Sequence, residues 1–252
     1  VSNLGAVTAA AGSTVEMSAG SVLNAGTWTT HEGSSFTILG GTIDNTGTMH
    51  LGGDFLNSAG SSLVNSGQLV LGAASATTTQ LNLGQIVNTG NLRVAAPALG
   101  SAFQNAGTLR NQGQWQVDAG ALFQNDGTAF NLGTLTVDGI FELNGGSLIQ
   151  SPSGQLVVNG VLRTDGGLEL HGGSIGGSGV INGSLILTAG STALPGNSPG
   201  TLTVTGLVHL QDGARLELEV GRSGAHDRLR AGSLFQSSGA VLALNFIDGL
   251  AP

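Results

Sequence analysis

Asn24-Ala25-Gly26-Thr27-Trp28, Asn45-Thr46-Gly47-Thr48-Met49, Asn65-Ser66-Gly67-Gln68-Leu69, Asn88-Thr89-Gly90-Asn91-Leu92, Asn105-Ala106-Gly107-Thr108-Leu109 and Asn125-Asp126-Gly127-Thr128-Ala129 repeat one phrase, Asn-x-Gly-x-apolar. The steps between copies are 21, 20, 23, 17 and 20 residues. A period in this range marks a stack of small structural units, so architecture is readable before chemistry. Asn and Gly tolerate positive backbone φ better than other residues, so each Asn-x-Gly predicts a sharp corner with a strand beginning just after it.

Beyond Asn125 the corner changes form while the beat persists. Val137-Asp138-Gly139-Ile140-Phe141, Val158-Asn159-Gly160-Val161-Leu162, Ile181-Asn182-Gly183-Ser184-Leu185 and Val204-Thr205-Gly206-Leu207-Val208 place their glycines 21, 23 and 23 residues apart. Between corners lie runs of strict alternation, among them Leu92-Arg93-Val94, Trp115-Gln116-Val117, Phe141-Glu142-Leu143 and Leu216-Glu217-Leu218-Glu219-Val220. Period-two alternation is the mark of strands with one buried and one wet face. No segment has helical periodicity.

These features predict an all-β chain folded as a parallel β-helix, or β-solenoid, with about 20–23 residues per coil and roughly twelve coils in 252 residues. Strand spacing of about 4.8 Å then gives a stack on the order of 55 Å long. In such a fold the corner asparagines stack as amide ladders, and Phe103 and Phe123 stack inside the core. Leucine-rich and helical repeats are excluded by the missing leucine frame and by the unit length. Residues 1–190 read as regular coils. The proline-bearing loop Pro195-Gly196-Asn197-Ser198-Pro199-Gly200 then opens a stretch, 191–252, of larger coils continuing the same solenoid, since Pro cannot donate to a ladder and belongs at corners or edges.

Composition narrows function. The chain has 44 Gly, no Cys, no Tyr, 9% charged residues and a formal charge of −8. Nucleic-acid binding needs a basic stripe, and the seven arginines are scattered. No run approaches the 18 or so apolar residues of a membrane-crossing helix, so membrane insertion by this segment is not expected. The chain reads as a mature or excised piece of a longer precursor.

Candidate catalytic groups are few. Glu217/Glu219 and Asp165/Glu169 alternate with Leu and read as outward strand residues, and Asp118, Asp138 and Asp165 read as a solvent-facing polar column one coil apart. A polysaccharide lyase or hydrolase needs clustered carboxylates, and lyases a basic partner as well. The histidines His31, His50, His171, His209 and His226 have no local ligand spacing, although stacking of His31 above His50 is conceivable. No catalytic, cofactor or metal site is therefore assigned. Trp28 and Trp115 sit where other units carry Leu or Met, which places them in the core rather than on a sugar platform.

Pro195-Gly196-Asn197-Ser198-Pro199-Gly200-Thr201-Leu202-Thr203-Val204-Thr205-Gly206, with Ala214-Arg215-Leu216-Glu217-Leu218-Glu219-Val220 and His226-Asp227-Arg228-Leu229, resembles the passenger-associated repeat of bacterial autotransporters and similar exported β-helical surface proteins. The resemblance covers about residues 190 to 235. It implies a right-handed solenoid on the outer surface of a bacterium or outside the cell. Where that family commonly has an aromatic residue before the aspartate, this chain has His226.

Two functional classes follow. The first is a non-catalytic structural or adhesive solenoid that self-assembles head to tail into a fibre or matrix, with surface glycans or other matrix proteins as further partners. The repeat starts and stops flush with the chain, and uncapped β-helix ends are open strand edges. Val1, Leu4 and Val7 at one end and Phe246, Ile247 and Leu250 at the other are the candidate association residues. The alternative is a carbohydrate-binding or polysaccharide-degrading β-helix.

Overall fold

The computed structural model describes residues 1–72, 75, 78–95, 102–197, 199–247 and 249. Leu250 lies outside the described residues, as do Thr77 and Ser198. The chain is a β-solenoid with three sides. Strands visit the sides in rotation: Ser62–Asn65 on the first, Gln68–Leu71 on the second, Gln80–Asn82 on the third, then Gln85–Asn88 on the first again. Stacked strands pair in parallel into sheets of eight, twelve and thirteen strands. The second sheet holds twelve strands, while the solenoid makes about ten turns, fewer than the roughly twelve coils read from the period.

Most strands are four residues long because each side holds only two inward and two outward side chains. Thr48–Leu51, for example, buries Met49 and Leu51 and turns Thr48 and His50 outward. The inward residues stack into one continuous core running from Met17 to Leu216. Aromatic residues add ring contacts along it: Phe103 and Phe123 stack with centroids 5.6 Å apart, as their spacing predicts, and Phe123 and Phe141 at 4.7 Å. Trp28 and Trp115 are both core residues.

The corner asparagines form two ladders rather than one. At the corner between the first and second sides, Asn3, Asn24, Asn45, Asn65, Asn88, Asn111 and Asn131 lie in register, each Nδ2 donating to the next Oδ1 at 2.6–3.0 Å. At the corner between the third and first sides, Asn57, Asn82, Asn105 and Asn125 do the same at 2.6–2.7 Å. The 17-residue step from Asn88 to Asn105 is thus a jump from one corner to the other, and the true partner of Asn88 is Asn111. Five ladder members, Asn3, Asn57, Asn82, Asn111 and Asn131, are absent from the six-copy reading.

The corner glycines need a second correction. Gly26, Gly47, Gly67, Gly90, Gly107, Gly127, Gly139 and Gly160 do not have positive φ. What they require is space: a Cβ on Gly47 would lie within 3.0 Å of the Gly26 carbonyl oxygen, and one on Gly67 within 3.0 Å of the Gly47 oxygen. That oxygen is held there because it accepts the amide of the residue after the next coil's glycine, as in Thr48 N to Gly26 O at 2.9 Å. Positive φ is used instead in four-residue turns such as His31-Glu32-Gly33-Ser34, where Gly33 has φ +74° and the Ser34 amide donates to His31 O at 3.1 Å. Gly139 and Gly160 lie at the corner between the second and third sides, whereas Gly183 separates two strands of the third sheet, Val180–Asn182 and Leu185–Leu187, and Gly206 lies within the strand Thr201–Leu210.

Toward the C-terminal end the sides merge. The first sheet ends with Ser147–Gln150, and the ten-residue strand Thr201–Leu210 then covers two sides, pairing with Val180–Asn182 through its first half and Leu185–Leu187 through its second. A register shift between Val204 and Leu207 marks the bend around Gly206. Residues after 190 keep to the same sheets with longer strands, up to Val241–Phe246.

Candidate functional site at the end of the solenoid

The candidate catalytic residues do not assemble into one site. Asp118 and Asp138 occupy the same corner in adjacent coils, but Asn159 takes the next place in that column, donating to Asp138 Oδ1 at 2.8 Å, and Asp165 lies at a different corner. Asp118 is held by Arg93 through two contacts, Nη2 to Oδ2 at 2.6 Å and Nε to Oδ1 at 2.9 Å. The hydrogen bond and charge of Asp118 raise the Arg93 pKa above its ordinary value. Glu217 accepts from Arg215 Nε at 2.9 Å and from Asn245. Glu169 lies 3.8 Å from His171 at the surface.

Register separates His31 from His50. Thr29, not His31, sits against His50. Among the described residues no three His, Asp or Glu side chains are placed to hold a metal ion. No helix among them is long and apolar enough to cross a membrane.

Asp227 has a structural task. It is 7% exposed, and its Oδ1 and Oδ2 accept the amides of Gly200 and Glu219, each at 2.9 Å. It thereby pins the proline loop against the strand Arg215–Val220. A Cβ on Gly196 would collide with the Asp227 carboxylate, which accounts for the glycine there. His226, the departure from the family pattern, is exposed, and its ring contacts Gly224 O at 2.6 Å and Arg228 Nε at 3.0 Å.

The arrangement that does invite a partner is the last coil. Val241–Phe246 pairs along one edge with Arg215–Val220, and Arg228–Gln236 along one edge with Thr201–Leu210. Their outer edges have no strand partner among the described residues. Gln236 continues the column of Leu210, while three inward positions of this coil are leucines, Leu234, Leu242 and Leu244, which continue the columns of Val208, Leu216 and Leu218. Yet they are 55%, 56% and 50% exposed, while Val208 is fully buried. Each such leucine forgoes about 1 kcal/mol, roughly half of what full burial contributes. Open main-chain donors and acceptors beside a bare core layer are the means by which a β-helix accepts another coil.

The expected association residues surround these two ends unevenly. Val7 is an inward residue, opposite Trp28 and half-buried against the core. Val1 and Leu4 flank the two-residue strand Ser2–Asn3 and are 94% and 79% exposed. Phe246 ends its strand 39% exposed, and the Ile247 amide still donates to Val220 O at 3.0 Å. Leu234, Leu242 and Leu244 were not singled out by sequence, although their alternation marks them as inward residues. No family model, curated protein or solved structure matches this chain.

Proposed function

We propose that this chain is a non-catalytic structural or adhesive solenoid of the bacterial exterior that joins copies end to end into a fibre or matrix. The observation that carries the reading is the last described coil, where strand edges without a partner among the described residues adjoin the half-exposed Leu234, Leu242 and Leu244. The opposite end offers strands of the same direction, Ala6–Ala9 and Thr14–Met17, each paired on one edge. Head-to-tail docking therefore adds parallel pairs of the kind already present throughout the stack, and heterologous contacts of this kind propagate as filaments. The resemblance of residues 190–235 to exported surface repeats supports the location.

Negative-stain electron microscopy at rising concentration tests this. The native chain forms rods several solenoids long, and Leu242→Lys with Leu244→Lys shortens them to single particles of about 55 Å. Single particles from the native chain at all concentrations sink the proposal.

A second reading, glycan binding, is favoured by one observation. The outward face of the second side carries a shallow depression of about 440 Å³ lined by His50, Gln68, Asn91, Arg93, Gln114 and Gln116, a row of hydrogen-bonding groups at coil spacing.

A further inference from the structure

The outward face of the first sheet carries two columns of side chains. One is small or polar: Ser21, Thr42, Ser62, Gln85, Thr108, Thr128 and Ser147. The other reads Leu23, Asp44, Val64, Val87, Arg110, Phe130 and Ile149, again in unbroken register. Five of these seven are apolar and outward-facing, and Leu23 and Ile149 are 36% and 46% exposed. A sheet face with a largely apolar column is costly to leave in water.

The column also carries two charges. On the second and third sides Arg93 pairs with Asp118 and Arg163 with Glu142 across neighbouring coils, whereas the exposed Arg228 and Arg230 have no acidic partner among the described residues. Among the described residues neither Asp44 nor Arg110 has an ion-pair partner. Three coil steps separate them, about 14 Å at ordinary strand spacing, so they do not reach each other.

Their positions are symmetric. Asp44 is second and Arg110 fifth in the column, and the midpoint between them falls between Val64 and Val87. We infer that a second copy of this chain docks on this face, antiparallel, about a two-fold axis running along the strands between Val64 and Val87. Asp44 of each copy then meets Arg110 of the other, Val64 meets Val87, and Leu23 meets Phe130. The parallel alternative sets Asp44 against Asp44 and Arg110 against Arg110, and like charges facing each other select against it. The neighbouring column, small at every position but Gln85, permits the approach of about 10 Å typical of packed sheets.

Seven four-residue strands give a face of roughly 34 by 13 Å, so two faces cover about 900 Å² in plan, below the size of stable complexes. The pair is accordingly weak in isolation and gains from repetition when many faces are joined in one fibre. This contact is separate from end-to-end joining and survives if that reading fails.

Sedimentation equilibrium on a Leu242→Lys, Leu244→Lys background, in which end joining is suppressed, tests it. The background protein shows concentration-dependent dimerisation. Asp44→Arg alone and Arg110→Asp alone, each with an unchanged circular dichroism spectrum, place like charges in both symmetric contacts and weaken dimerisation more than about tenfold. An equimolar mixture of the two makes both contacts complementary and restores the dimer, and added salt weakens it. A background protein monomeric at every concentration overturns the inference. So do single variants that dimerise like their parent, or a mixture that stays monomeric.

Discussion

At the scale of the residue, the most consequential side chain is a buried asparagine. Asn65 is fully buried, accepts from Asn45 Nδ2 at 2.6 Å and donates to Asn88 Oδ1 at 2.7 Å and to Asn91 O at 3.0 Å. Both halves of the amide are in use, so no isosteric replacement satisfies the column. Asn65→Asp keeps the acceptor and loses the donor, and it puts a carboxylate in a buried site, which costs several kcal/mol when ionised. Burial raises the folded-state pKa of that carboxyl above its unfolded value of about 3.9. The protonated acid can replace one of the amide's two donated hydrogen bonds. The stability deficit of Asn65→Asp relative to the native chain is therefore smallest below about pH 4 and grows as the pH rises through the folded pKa. Urea melts across pH check this, and a pH-independent deficit contradicts it.

At the scale of the element, the corner is a device with two kinds of glycine, and they respond differently to substitution. Gly47 approaches the carbonyl of the previous coil, and both are main-chain atoms fixed by ladder hydrogen bonds, so a methyl group has nowhere to go. Gly47→Ala is expected to cost about 3 kcal/mol or more, at the upper end of overpacking effects. Gly12 has φ +81° and open space around it, so Gly12→Ala meets only backbone strain of about 1–2 kcal/mol. Chemical denaturation of both variants measures the difference, and equal costs refute the assignment.

The same contrast marks what was readable in the sequence. Which residues face inward was legible because alternation has a period of two and the coil is too short to break it; Phe103, Phe123, Trp28 and Trp115 all fall where it puts them. The corner chemistry was only half legible. Asn-x-Gly looks the same at two different corners, so Asn88 and Asn105 were read as neighbours. The signal that separates them is a doublet spacing of six residues, as in Asn82 and Asn88, Asn105 and Asn111, Asn125 and Asn131. The steric demand on Gly47 was hidden because it comes from another coil, about 20 residues away in sequence. The fusion of two sides in Thr201–Leu210 was likewise hidden, since Thr205-Gly206 reads as one more corner.

At the scale of the molecule, the solenoid has one continuous buried core, and its last described coil leaves three inward leucines half-exposed. Core columns that are closed at Val208 and Leu216 stand open at Leu234 and Leu242 one coil later, beside strand edges that have no partner among the described residues. The candidate polar sites found no such concentration: Asp118 is bound to Arg93, Asp227 to two backbone amides, and His31 is out of register with His50. The proposed end-to-end assembly runs along the axis, and the inferred second contact, through the symmetric charges on the first sheet, runs across it.

Small-angle X-ray scattering over a concentration series measures axial growth most directly, since it separates the cross-section of a rod from its length. The account predicts a length that rises in steps of one solenoid, about 55 Å, at a constant cross-section for the Asp44→Arg variant, in which lateral pairing is suppressed. A length that stays at one solenoid up to the solubility limit contradicts it.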